Sequence, residues 1–310
     1  MAKIILDDAQ VKEVNEIYHD LEAQYYVQRH PEIYVDEKSA WEQIGQTFLK
    51  SDKQLTILDI GTGTGFVPML VSGYLKENDK IICTDLSEKM LKITQEHLAS
   101  LNKIKKEFIK ADALEISKMD LKVDCITMNS VLHHIPDYPQ VLSGLGKHVT
   151  KGGLFIIMHE RNKLHSQNRS FILFVYQNLV KVRMVLKRIA RNILIFLGMF
   201  RKRLGPGKDF NQKVYWAVKE KKLVGQDLTI KDINAIVDIH DPDEKGEGFD
   251  PFKLHERFFP DFKIISVNTY KHLGAWVNES SNGINKFFSR KIKNNSPYGG
   301  ALFSLIMKKN

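Results

Sequence analysis

The chain is poor in cysteine, lacks any long apolar run, and over one stretch lacks acidic residues altogether. Its only cysteines, Cys83 and Cys125, each sit inside an apolar strand-like run, which excludes a disulfide framework and a thiolate metal centre and predicts two buried, inert thiols. The apolar run Ile193 to Phe200 is eight residues long, well short of the roughly twenty that cross a bilayer. Met1 to Asp8 offers no extended apolar segment and no small-residue cleavage site, so the chain reads as cytoplasmic. Internal repeats and low-complexity tracts are absent. Between Arg161 and Lys208 there are twelve Lys or Arg and no acid. With a net charge of +9 overall, the remainder is left slightly acidic, at about −3. Any anionic partner is therefore a matter for that one segment.

With 310 residues, 43% apolar and 27% charged, the chain can bury a large core and is not a disordered polymer. One domain with a sizeable insertion is the natural organisation. Residues 8–28 and 36–50 read as two helices separated by Arg29-His30-Pro31, forming a helical lid over 1–50. From Leu55 the pattern becomes short apolar runs alternating with amphipathic helices: strands at Thr56–Ile60, Lys80–Thr84, Lys106–Lys110, Val123–Asn129 and Leu154–His159, with helices near 65–76, 87–101 and 139–149. That rhythm predicts βαβ units and a parallel sheet buried on both faces across 51–160. It breaks for roughly 95 residues over 161–255, a mainly helical insertion, and resumes within 256–310 at Lys263–Tyr270 and Ala301–Lys308. His272 to Gly300 reads as a long loop or partial cap.

The most specific signal is Ile57-Leu58-Asp59-Ile60-Gly61-Thr62-Gly63-Thr64-Gly65-Phe66, a strand that ends in an acid and runs into three alternate glycines. Such a turn lets backbone approach a ligand closely and aims the free N–H groups of the next helix at it. A dinucleotide fingerprint would place its third glycine where Phe66 stands, which weakens a nicotinamide reading. The segment resembles the first motif of the class I S-adenosylmethionine (SAM)-dependent methyltransferases, of the small-molecule or lipid type with an inserted cap. The resemblance implies a Rossmann-like α/β fold with a seven-stranded sheet, SAM as cofactor and S-adenosylhomocysteine as product, with Asp59, Gly61, Thr62, Gly63 and Gly65 around the methionyl part. It implies that Asp85, ending the second strand, accepts the ribose hydroxyls, that Leu86 and Met90 flank the adenine, that Asp112 with Ala113 meets its amino group, and that Asn129 lies beside the methionine. Lys151-Gly152-Gly153-Leu154 resembles the family's tight turn into the fifth strand.

Methyl transfer is an in-line displacement, so alignment and exclusion of water come first and a base is optional. Four residues at the carboxyl ends of strands qualify as candidates to take an acceptor's proton: His133, His134, His159 and Glu160. His133-His134-Ile135-Pro136-Asp137 also resembles a family segment that mainly shapes the helix start and cofactor wall. No H-x-x-x-H helix or acid cluster accompanies the histidines, so no metal is expected. Asn129-Ser130-Val131-Leu132 lacks the paired prolines and aromatic of base-amine methylation, and neither cysteine follows a proline as cytosine carbon methylation requires. An oxygen or nitrogen of a small-molecule or lipid-like acceptor is expected. The alternative is a non-catalytic module of this fold that uses the basic insertion to hold a membrane or polyanion.

Within the insertion, Leu179, Val182, Val185, Leu186, Ile189, Ala190, Ile193 and Leu197 share one helical face while Lys181, Arg183, Lys187, Arg188 and Arg191 share the other, before Arg201-Lys202-Arg203 and Gly205-Pro206-Gly207 end the element. Three readings stand: a cap whose apolar face covers the pocket, a helix lying on the anionic inner face of a membrane through 179–203, and a polyanion site. The last is the least supported, because no aromatic platform is interleaved, so a nucleic-acid partner is not expected. His240 to Gly248 lacks the ligand spacing of an EF-hand and reads as a solvated loop, with His240 or Asp241 reaching the pocket. Tyr25, Tyr26, Arg29 and His30 either close over the cofactor or pack their own helix.

Overall fold

A computed structural model describes residues 6–167, 170–196, 207–223, 229–230, 232–244 and 246–310. Arg201, Lys202, Arg203, Gly205 and Pro206 lie outside the described residues, as do Leu197 and the side chains of Ala190, Arg191 and Ile193.

Seven strands form one sheet: β1 Thr56–Ile60, β2 Lys80–Asp85, β3 Lys105–Lys110, β4 Val123–Asn129, β5 Val149–Arg161, β6 Phe262–Tyr270 and β7 Leu302–Lys309. Their order is β3-β2-β1-β4-β5-β7-β6, with β7 antiparallel to both neighbours and the first five strands parallel. This is the α/β sheet expected of the methyltransferase fold. Strand alternation sorts side chains into two layers. Leu58, Ile60, Ile82, Ile126, Phe155 and Ile157 enter one core, while Ile57, Ile81, Cys83, Cys125, Leu154 and Ile156 enter the other. Both thiols are buried and free. Burial on both faces is why these strands read as unbroken apolar runs.

β5 extends past its expected ends. The expected tight turn falls inside it, where Gly152 adopts φ 77°. Near its other end the pairing with β7 slips between Met158 and Glu160, leaving His159 as the bulged residue at φ 58°. The bulge re-aims the two residues that follow toward the sheet's carboxyl edge.

The N-terminal helices are built into the core. Trp41, on the Lys38–Phe48 helix, is fully buried with Ile44 in the Ile57 layer, and its indole N–H donates to Asn129 Oδ1 at 3.1 Å. Val11, Val14, Ile17 and Tyr18 of the Asp8–Glu22 helix pack instead against Phe210, Val214 and Val218 and against Ile233, Ile236 and Val237 of the insertion. The His272–Gly300 stretch, expected as a loop or partial cap, contains a helix, Gly283–Asn295. Asn282 caps it by accepting from Asn285 N, and Ile284, Phe288 and Ile292 fall at helical spacing.

Replacing Trp41 with Ala is expected to lower unfolding free energy by about 3–5 kcal/mol through the cavity left behind. Trp41→Phe should cost much less while still releasing Asn129. Urea unfolding of the two variants measures the difference.

Candidate active site

The glycine loop after β1 holds three left-handed residues, Gly61 (φ 64°), Gly63 (φ 54°) and Gly65 (φ 86°). A Cβ on Gly61 would sit 2.5 Å from Val131 Cγ2, whereas one on Gly63 would meet nothing within 4 Å. Gly61 is thus required by its neighbour, and Gly63 by its backbone and by what approaches it from open space. Asp85 braces the loop: Oδ2 accepts from Gly63 N and Oδ1 from Ser87 N, both at 2.8 Å. Burial pushes its carboxyl above the ordinary range, against the pull of those amides.

A cavity of about 470 Å³ opens at the carboxyl edge of the sheet, within the span usual for ligand pockets. It brings together most of the expected cofactor residues: Gly61 and Gly63, Asp85 with Leu86 and Met90, Asp112 with Ala113, and Asn129. Asp59, Thr62 and Gly65 lie beneath the loop, outside that lining. Asp59 is 2% exposed and accepts from Thr127 Oγ1 at 2.5 Å. Burial pushes its carboxyl up to about 7, while the Thr127 hydroxyl pulls it down. Thr62 N donates to Thr84 O, tying the loop to β2, and Gly65 begins the Phe66–Ser72 helix. Asp112 caps the Ala113–Ser117 helix, accepting from Glu115 N at 2.7 Å, and pairs with Lys12 Nζ at 2.5 Å.

The acid and base candidates separate into two groups. Glu160 is fully buried: Oε1 accepts from Val131 N (2.8 Å) and Leu132 N (2.7 Å), and Oε2 lies 2.9 Å from His133 Nδ1. Burial raises its pKa, but His133 and the two amides outweigh that, and it ends below its ordinary value. An ionised Glu160 fixes the His133 proton on Nδ1 and leaves the lone pair on Nε2. His133 lines the cavity and Glu160 stands behind it. Nε2 lies 3.8 Å from Asp238 Oδ1, and His134 Nδ1 lies 3.2 Å from the same oxygen and 2.9 Å from Val237 O. Burial lowers the His134 pKa, yet Asp238 holds it above its ordinary value, and Asp238 is correspondingly lowered. His159 also lines the cavity, but its Nδ1 is hydrogen-bonded to the buried Glu37 carboxylate, which accepts from Tyr270 OH at 2.9 Å as well. His133, His134 and Asp238 offer donor atoms within 4.8 Å of one another and are the described residues able to hold a metal ion. The acid that the adjacent histidines lack in sequence is supplied by the insertion.

Several lining residues carry no sequence signal. Asp238 comes from the insertion, Trp276 from the segment after β6, and Asn15, His19 and Glu22 from the first helix. Glu22 is buried against Arg29 Nε (2.7 Å) and His30 Nε2 (3.0 Å). Of the four residues singled out there, Tyr26 and His30 line the cavity, Arg29 stacks on Phe210 at 3.9 Å, and Tyr25 is exposed. Arg161 pairs with Asp241 (3.2 Å) and Asp243 (2.6 Å), and its Nη1 is buried with no hydrogen-bond partner among the described residues. Asp241 reaches the cavity, while His240 is held by the Ile135 carbonyl at 3.0 Å.

Residues 58–155 match the family described as Methyltransferase domain, and the sheet order and glycine loop are those expected of a class I SAM-dependent methyltransferase fold. Over 104 residues the chain is 29% identical to the ubiquinone/menaquinone biosynthesis C-methyltransferase UbiE of Escherichia coli. The matched stretch covers 33% of this chain and 41% of that relative, so the chain spans less than half the length of the curated relatives it matches. Among solved structures, the DhpI complex with SAH is similar over 50% of this chain and 76% of that one, at 19% identity and a TM-score of 0.42. A putative SAM-dependent methyltransferase from Listeria monocytogenes is similar over 88% and 99%, at 12% identity and a TM-score of 0.43.

With a folded pKa of about 7 against an unfolded value near 3.9, Asp59 makes the native state bind more protons across that window. Its stabilising contribution is present at low pH and lost as pH rises through about 7. Asp59→Asn should flatten that part of the stability curve, as denaturant midpoints taken from pH 4 to pH 8 would show.

Proposed function

We propose that the chain transfers a methyl group from SAM to an oxygen or nitrogen of a small-molecule or lipid-like acceptor bound in this cavity, with His133 as the base. The observation that carries the reading is the Glu160–His133 pair, with His133 lining the same cavity that takes in Gly63 and Asp85. The pocket suits the cofactor: the open space beside Gly63 admits its close approach, and Asp85 keeps a free lone pair on each oxygen for ribose hydroxyls. When bound, SAM supplies a methyl carbon on a sulfonium, a strong electrophile needing no metal.

The residues of the chain then have three tasks. Asp85 and the glycine loop fix the donor, and Asn129, itself held by Trp41, stands beside it. His133 Nε2 would take the acceptor's proton. Glu160 on one side and Asp238 on the other stabilise the resulting imidazolium. A carbon acceptor, as in the name of the E. coli relatives, would lose a proton too and would call on the same base.

Calorimetry with SAM and S-adenosylhomocysteine is expected to show binding by the intact chain and its loss in Asp85→Ala; an intact chain that binds neither would overturn the reading. Labelled methyl groups should enter the small-molecule or lipid extract of a lysate. His133→Ala should lower kcat by about 10²–10⁴-fold while leaving affinity for S-adenosylhomocysteine unchanged. A deficit of less than threefold would remove His133 from the role of base.

A further inference from the structure

The described side chains of the long basic helix lie away from the pocket lining. Over Phe171–Phe196 it is anchored near its start by Leu173 and Tyr176, which pack with Leu273 and Ile292, and by Ile172 and Val180 beside them. At 100° per residue, Leu173, Tyr176 and Val180 lie opposite Phe171, Val182, Val185, Leu186 and Ile189. Those five are all more than half exposed, from 51% at Ile189 to 75% at Phe171. Among its residues whose side chains are described, 171–189, none lines the cavity. Over 171–189 the apolar stripe runs uncovered along the outer side, with Lys181 and Arg188 flanking one edge and Arg183 the other.

The neighbouring Gly283–Asn295 helix, in contact through Phe288 and Ile292, repeats the arrangement. Ile284 and Phe287 are 61% and 57% exposed, and Lys286, Arg290, Lys291 and Lys293 are exposed around them. Neither 161–208 nor 283–295 contains an acid, and none of Lys181, Arg183, Lys187, Arg188, Lys286, Arg290, Lys291 or Lys293 has an acidic partner within 4.0 Å among the described residues. Trp276, 70% exposed, lies at the cavity and close in sequence to Leu273, the residue on which the basic helix is seated.

We propose that these two helices form a docking surface for an anionic lipid bilayer, with the apolar stripe of the basic helix lying in the interface plane and its flanking cations on lipid headgroups. Among the described residues no helix is long and apolar enough to cross a membrane, and the charges along this one exclude its spanning. Exposed apolar surface between lateral Lys and Arg is the pattern that inserts shallowly at headgroup depth. A second copy of the chain would bring cations against cations with no acid to pair them. A nucleic acid would satisfy the cations and leave the aliphatic stripe in water.

Flotation of the full chain with vesicles of phosphatidylcholine, with and without phosphatidylglycerol, tests this. The chain is expected to float with the anionic vesicles alone. Lys181→Glu, Arg183→Glu and Arg188→Glu together should weaken that binding at least about 100-fold, since each basic residue near an anionic leaflet strengthens it roughly fivefold. The charge-neutral pair Val182→Ser and Leu186→Ser should weaken it at least about tenfold through lost apolar burial. Binding of S-adenosylhomocysteine, measured on the same variants, should be unchanged, so failure of the membrane reading and failure of the methyltransferase reading are told apart. The proposal is overturned if the wild-type chain does not float, if it floats equally with neutral vesicles, or if the serine pair binds like wild type, which would mark a polyanion site. A concentration-dependent dimer abolished by the serine pair, without vesicle binding, would overturn it in favour of self-association.

Discussion

Glu160 is a carboxylate sealed inside the protein at the end of a central strand, and burial at that depth costs several kcal/mol unless the charge is met by donors. Three meet it: the amides of Val131 and Leu132, and the ring of His133. All belong to the loop that follows β4, so the requirement to satisfy one charge dictates where that loop runs and which way His133 turns. Gly61 is pressed against Val131 from the other side, so the glycine loop and the histidine loop share a boundary. The bulge at His159 makes this possible, because it directs Glu160 inward at the sheet edge and sends His159 to Glu37.

The remaining walls are supplied by segments that have no share in the sheet. Trp41 reaches Asn129, and Glu37 joins His159 to Tyr270, so the N-terminal helices hold two strand ends in place. The first helix is fixed by packing against the insertion, which delivers Asp238 to the two histidines. The wall of the cavity facing away from the glycine loop is therefore assembled from the chain's start, middle and last fifth, and it has a polar lining of acids paired with histidines and Arg161. Such networks hold a fixed geometry when each member is satisfied. Histidine pairs facing a shared carboxylate are suited to carrying a proton away from an acceptor.

Much of this was legible in the sequence where a local rule governs. The strands showed because burial on two faces demands continuous apolar runs, and the glycines showed because a left-handed turn admits little else. Asp85, Leu86, Asp112 and Asn129 were legible as positions at or just past strand ends, and Met90 as one on the next helix, through a resembled family. Spacing is silent on direction, however. Asp59 matches the motif yet turns under the loop to Thr127, because strand alternation places it on the Ile57 side. The helix over Gly283–Asn295 was masked by the Asn, Ser, Gly and Pro around it, and its stability depends on a tertiary seat for Phe288 and Ile292. The amphipathic period of the basic helix was plain, but period alone does not say whether a stripe faces protein or water.

By itself, then, the sequence determined the order of strands and helices, the glycine turn and the place of the acids at the strand ends, since each follows from backbone sterics or from burial along a few consecutive residues. Tertiary structure alone decided which carboxylates look into the cavity, that Glu160 stands behind His133, that Asp238 arrives from the insertion, and that the stripe from Phe171 to Ile189 is left uncovered. These depend on which distant surfaces meet, and a free energy shared between residues far apart in the chain leaves no local mark on either.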